Sequence, residues 1–138
     1  MAKQSLSDAD YAQLYRFRAR LRRFLHWSEQ QIHGAGMTPS QYLLLLGIRA
    51  DESGKGPTIG DMAEFLQLRH HSVVELVDRA EAAGLIRRAP DDEDGRVVRL
   101  RLTGPGANGL ERLAAMNLRE LARLDLISRA LDSVGDPD

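Results

Sequence analysis

After Gly84 the apolar residues of this chain stop recurring every third or fourth position and start recurring every second one, a switch that constrains the fold more than anything else. Two short helical patterns lie ahead of it. Thr58 is placed to cap the first, with Asp61 three residues on as its capping-box partner, and Ile59, Met62, Ala63 and Leu66 form an inward face. A break at Gln67-Leu68 leads into a second helix over roughly His70 to Ala83. Val73, Val74, Leu76 and Val77 are its core residues, and Gly84 is its left-handed stop. Leu85-Ile86-Arg87-Arg88 and Val97-Val98-Arg99-Leu100-Arg101-Leu102 then read as two strands. The polar stretch Ala89 to Arg96 between them is too long for a two-residue turn. This order suits a helix-turn-helix with a β-wing.

The flanks read as a frame. From about Ser7 to His33, Tyr11, Leu14, Phe17, Leu21, Phe24, Leu25 and Ile32 recur at helical steps, and Ser7 is a fitting N-cap. Arg16, Arg18, Arg20, Arg22 and Arg23 lie between them. They suit a solvated basic face, and equally phosphate contact or pairing with acids of a partner subunit. Gly34 and Gly36 end that helix. Thr38-Pro39-Ser40-Gln41 opens another, apolar nearly all round through Tyr42 to Ile48 and so expected to be buried. Asp51 to Pro57 is a loop by composition. Thr103 caps a last helical region in which Gly104, Gly106 and Gly109 weaken the first turns. Leu110, Leu113, Leu118, Leu121, Leu124, Ile127 and Leu131 carry an apolar stripe onward. Stripes this long need a partner to cover them, which predicts an intertwined homodimer.

Composition narrows the chemistry. At 138 residues the chain makes one domain, or one with helical arms. The formal net charge is −1, so affinity for nucleic acid must come from locally clustered Arg. Cysteine is absent, which excludes disulfides, thiolate nucleophiles and Cys-based zinc sites. No apolar run approaches the roughly 18–20 residues needed to cross a bilayer, and the polar N-terminus is unlike a signal peptide. A cytoplasmic protein without membrane partners is expected. No Ser-His-Asp spacing, Gly-rich phosphate loop or metal-ligand cluster suggests an enzyme.

A helix fits the major groove of DNA with its N-terminal residues nearest the base edges. Here those residues are Arg69, His70, His71 and Ser72, with Glu75 one turn further in. Arg can donate a bidentate pair to guanine, His can donate to guanine acceptors, and Glu can accept from cytosine. Four polar residues in a row suit an exposed reading surface, although a solvated helix start has the same composition. His70 and His71 are adjacent, and helix neighbours point about 100° apart, so the two do not share an ion as an i, i+4 pair can. No metal or cofactor is expected. Arg96, at the hairpin tip, suits the minor groove, where narrow A·T-rich segments concentrate negative potential. Asp91, Asp92, Glu93 and Asp94 would repel phosphate unless they turn away or pair, and Asp94 is expected to hold a nearby Arg. Arg87, Arg88, Arg99 and Arg101 alternate with apolar residues, as phosphate contacts and solvent-facing strand residues both do.

A family likeness rests on particular runs: Thr38-Pro39-Ser40-Gln41-Tyr42, Ile59-Gly60-Asp61-Met62-Ala63, and Leu76-Val77-Asp78-Arg79 ahead of Gly84-Leu85-Ile86-Arg87-Arg88. Asp94-Gly95-Arg96, Leu102-Thr103 and Gly106 complete it. On these the chain resembles MarR-type winged helix-turn-helix transcriptional regulators over nearly its whole length. The resemblance implies a homodimer joined by its terminal helices and bound to a pseudo-palindromic operator, usually as a repressor. Many members release DNA when a small, often aromatic, anion binds. The family carries small polar residues where this chain has His70 and His71, and an Arg where it has Gly95. Relatives hold the effector between the dimer helices and the reader. Trp27, His26, His33 and Arg23 are candidates by position, since an aromatic face with cationic donors suits an aromatic acid. Packing of Trp27 in the dimer core is the competing reading.

The expected architecture is therefore mainly α with a small β-wing (α+β). Residues 1–36 form an N-terminal dimerisation helix, 37–103 the winged helix-turn-helix, and 104–138 C-terminal dimerisation helices. The expected partners are double-stranded DNA, a second copy of the chain and a small aromatic or anionic effector. The alternative is a winged-helix interaction module that dimerises without reading DNA, which the low net charge and acidic wing keep open.

Overall fold

A computed structural model describes residues 5–124. Its elements run α1 (Asp8–Gly34), α2 (Pro39–Ala50), α3 (Ile59–Leu66), α4 (His70–Ala82), β1 (Ile86–Pro90), β2 (Val98–Leu102) and α5 (Gly104–Leu124). Local chemistry sets most of these boundaries. The Thr38 hydroxyl accepts from Gln41 N while the Gln41 side chain accepts from Thr38 N, and Thr58 and Asp61 close the same reciprocal cap on α3. Ser7 and Asp10 do so at the start of α1. Gln67 ends α3 in the left-handed region at φ 56°, leaving a three-residue connection before α4. Gly84, at φ 75°, ends the turn after α4 as expected.

The chain divides into two compact units. Residues 32–114 make up the first, built on Leu44, Leu45, Met62, Val73, Val77, Ile86 and Leu100, all less than 2% exposed. Burying each large aliphatic side chain contributes roughly 1.5–3 kcal/mol. This unit reaches beyond 37–103 because Ile32 at one end and Leu110 and Leu113 at the other complete the same core. Those leucines therefore need no partner subunit to cover them. In α2, Leu44, Leu45 and Ile48 are buried, but Leu43 is 41% exposed, so the helix is not buried all round. Phe65 and Leu68 are exposed as well.

The strands pair antiparallel with Ile86 opposite Leu102 and Pro90 opposite Val98. The first strand thus includes Ala89 and Pro90, which composition assigned to the loop. Pro costs little there, because a two-stranded sheet has a free edge that needs no N–H. Asp91 N then donates to Val97 O at 2.9 Å, closing the ladder at the wing tip. Leu100 N donates to Pro57 O, which ties β2 to the α2–α3 loop.

The second unit combines residues 1–31 and 115–138, described here over 5–31 and 115–124. Ser28 donates to Asn117 Oδ1 at 2.6 Å, a buried polar pair that fixes α5 against α1. Tyr11, Leu14, Phe17, Leu21 and Leu25 are exposed along α1, as is Leu118 on α5, while Leu121 and Leu124 are half-buried. Ile127 and Leu131 lie outside the described residues. No helix among the described residues is long and apolar enough to cross a membrane.

Candidate nucleic-acid interface

The recognition surface follows from the two faces of α4. Val73, Val77 and Ala80 are wholly buried and anchor the helix, which turns the opposite face outward. Arg69 occupies the N-cap without a side-chain capping bond, and Arg69, His70, His71 and Glu75 are exposed, with Ser72 half-buried. His71, Glu75 and Arg79 follow at i+4 steps, so Arg79 extends the same row. Ser72, Glu75, Leu76 and Arg79 also line a groove of about 340 Å³ with Leu68, with the N-cap residue Thr38 and with Ser40 and Gln41 of α2. The sequence reading did not place Arg79, Thr38, Ser40 or Gln41 at this surface, although the spacing of Arg79 from Glu75 was a usable signal.

The strand arginines divide. Arg88 donates through Nη1 to Glu81 at 2.9 Å and through Nη2 to Asp78 at 2.6 Å, while its backbone N donates to Glu81 Oε2. The hydrogen bond to Asp78, supported by that to Glu81, pushes its pKa further up. Arg88 therefore clamps β1 to α4. Arg99 donates to Asp91 Oδ1 at 3.0 Å and to Gly56 O at 3.2 Å, and Arg101 donates to Gly54 O. Arg87 is exposed.

At the wing tip, Asp94 accepts from both the backbone N and Nε of Arg96, so it does hold a nearby Arg. The Arg96 side chain is 93% exposed. Asp91 is the inward acid: its carboxylate accepts from Glu93 N, Asp94 N and Arg99 Nε. The backbone donor of Asp94 and then Arg99 hold its pKa below the usual carboxylate range. A depressed folded pKa means stability that is present above the unfolded value and lost as pH falls through the folded one. Asp91→Asn is therefore expected to flatten the acid limb of the stability curve, read as urea midpoints between about pH 5 and pH 3. An acid limb identical to the parent's would show that Asp91 contributes nothing to it.

The candidate effector residues lie on α1. His26 lines a groove of about 410 Å³ with Arg18, Leu21, Arg22, Leu25 and Glu29. Trp27 is half-buried, with its ring tilted against that of Phe24 at a centroid separation of 6.3 Å. Arg23 and His33 are exposed.

A buried-face helix, a tight connection, a second helix with an exposed polar row and a wing define a winged helix-turn-helix fold. Residues 35–97 match the model of the MarR family, which this chain resembles over that stretch. It is 25% identical over 118 residues to the transcriptional activatory protein BadR of Rhodopseudomonas palustris, across 86% of this chain and 66% of that one. It is 31% identical over 88 residues to the HTH-type transcriptional repressor MdtR of Bacillus subtilis, across 64% of this chain and 55% of that one. The match thus spans about two thirds and about half the length of these relatives. Among solved structures, a MepR mutant of S. aureus bound to an oligodeoxyribonucleotide superposes with a TM-score of 0.66 at 25% identity, covering 86% of this chain and 80% of that one.

Proposed function

We propose that the protein is a sequence-specific DNA-binding transcriptional regulator that acts as a homodimer on a pseudo-palindromic operator. The observation that carries this reading is the exposed row Arg69, His70, His71 and Glu75 on a helix whose other face is locked into the core. A major groove accepts such a helix N-terminus first. The wing presents an exposed Arg96, suited to a minor groove. Two copies would then read successive major grooves, about 34 Å apart. The oligonucleotide-bound MepR relative and the regulators BadR and MdtR support the assignment. Repression and release by a small aromatic anion extend it by family likeness. Such an effector acts only through different affinities for DNA-competent and incompetent states.

The test is selection of binding sites from a random duplex pool, followed by anisotropy on the selected duplex and a scrambled copy at two salt concentrations. Specific binding that falls steeply with salt is expected, and Arg69→Ala or His71→Ala should relax base preference at defined positions, by about 1–3 kcal/mol for a lost base contact. Absence of binding even at low salt would refute the DNA reading in favour of a protein-interaction module.

A further inference from the structure

We propose that Asp91 and Arg99 are positioning residues that hold Arg96 at the height and angle its DNA contact requires, so that the wing tip is aimed from the body of the reader. The inference rests on the DNA reading above and adds a specific mechanical role to it.

The contacts run outward without a gap. Pro57 O and Gly56 O belong to the loop between α2 and α3, and they receive Leu100 N and Arg99 Nη1. Gly56 sits at φ 89°, and a Cβ there would collide with the Leu100 carbonyl, so loop and strand pack backbone to backbone. Arg99 Nε–H then donates to Asp91 Oδ1 at 3.0 Å. The Asp91 side chain is only 7% exposed, and its other oxygen accepts from Glu93 N at 3.1 Å and Asp94 N at 3.0 Å. Asp94, oriented by that bond, accepts from Arg96 N and Nε. Arg96 itself is 93% exposed and carries no packing that would orient it. Lys55, from the same loop as Gly56, adds an exposed ion pair to Glu93 at 3.7 Å. An exposed pair such as Lys55–Glu93 is weakly constraining, whereas Asp94 also holds the Arg96 backbone N. The part-buried Asp91 with three donors constrains more strongly, so it is the point through which the tip is fixed.

Electrostatics and geometry predict opposite signs, which makes the idea testable. Asp91→Asn removes a negative charge from a loop facing phosphate, and Coulomb attraction alone would tighten DNA binding. Loss of aim would weaken it. Asp91→Asn, Arg96→Ala, the double variant and Arg99→Gln are compared by anisotropy on a duplex with A·T tracts and on an all-G·C duplex of equal length, across a salt series. Arg96→Ala is expected to weaken A·T-tract binding by about tenfold and to lower the salt slope by about one. Asp91→Asn and Arg99→Gln are expected to lose about fivefold on the same duplex, and Asp91→Asn should cost nothing further in the Arg96→Ala background. Amide exchange at Glu93 and Asp94 should quicken in Asp91→Asn while that of α4 stays at the parent rate.

If Arg96→Ala binds like the parent at every salt, the wing reading itself fails. If Arg96→Ala weakens binding while Asp91→Asn binds equally or more tightly, or if the two losses multiply, the wing stands and the positioning role is overturned. A general loss of folding in Asp91→Asn, seen as fast exchange throughout α4, would assign Asp91 to stability, unless Arg99→Gln folds and shows the selective loss.

Discussion

Changing Leu14 and Leu21 together to Glu is expected to convert the protein into a monomer and to weaken its binding to a two-half-site duplex by about a hundredfold or more. Both side chains belong to the apolar row of α1, 57% and 37% exposed respectively, with Tyr11, Phe17 and Leu25 on the same stripe. An exposed apolar stripe this long marks an interaction surface, and in the proposed homodimer a second copy of the chain would cover it. In a two-fold interface each substitution appears twice, so the double change would place four carboxylates in or near the contact. Burying unpaired charge costs several kcal/mol per ion, more than the apolar contacts of that row could offset. The fold of each chain should survive, because neither side chain belongs to the core that holds α4. Sedimentation at micromolar concentration, circular dichroism and anisotropy on one- and two-half-site duplexes provide the check. A variant that sediments as a dimer would place the interface away from α1. A monomer that keeps full affinity for two half-sites would break the link between dimerisation and DNA binding.

Gly106→Ala should destabilise the protein by on the order of 2 kcal/mol, lowering its melting temperature by several degrees. Gly104→Ala, two residues away, should do the opposite. Both lie in the first turn of α5, where Ala is favoured over Gly by up to about 1 kcal/mol. A Cβ at Gly104 meets nothing within 4 Å, so nothing opposes the smaller share of that preference that a helix start carries. A Cβ at Gly106 collides with the Leu85 carbonyl. That carbonyl also accepts from Thr103 N at 3.1 Å, and the Thr103 hydroxyl donates to Gly84 O while accepting from Gly106 N. Backing away from a Cβ would loosen the end of the wing and the cap of α5 together. Urea titrations of the two variants give the comparison directly. Equal midpoints would show that α5 is free to slide at its start.

Much of this reader was legible because its signals are local. The Thr38–Gln41 and Thr58–Asp61 caps, the Gly84 stop and the switch from helical to strand period each act within a few residues, and all are present in the structure. The exposed start of α4 was legible for the same reason, since Arg69, His70, His71 and Ser72 interrupt an apolar pattern. Ala89 and Pro90 misled, because Pro marks a turn only when the partner strand needs its missing N–H, and here it does not. The roles of the arginines were out of reach. Arg88 and Arg99 are equivalent by composition, yet one clamps β1 to Asp78 and Glu81 on α4 while the other bonds Asp91 and also Gly56, which lies 43 residues before Arg99.

Residue order alone therefore settled the order and type of the elements and, α2 apart, which face of each helix is apolar, since backbone preference and side-chain period are properties of neighbours along the chain. Tertiary structure decided which of two similar residues is bound and which is free. Gly106 read as a weak helix start and proved to be the point where α5 meets the backbone of Leu85. Leu110 and Leu118 belong to one stripe, yet one is 4% exposed and the other 67%. Contacts between residues far apart in the chain make those distinctions, and no local pattern encodes them.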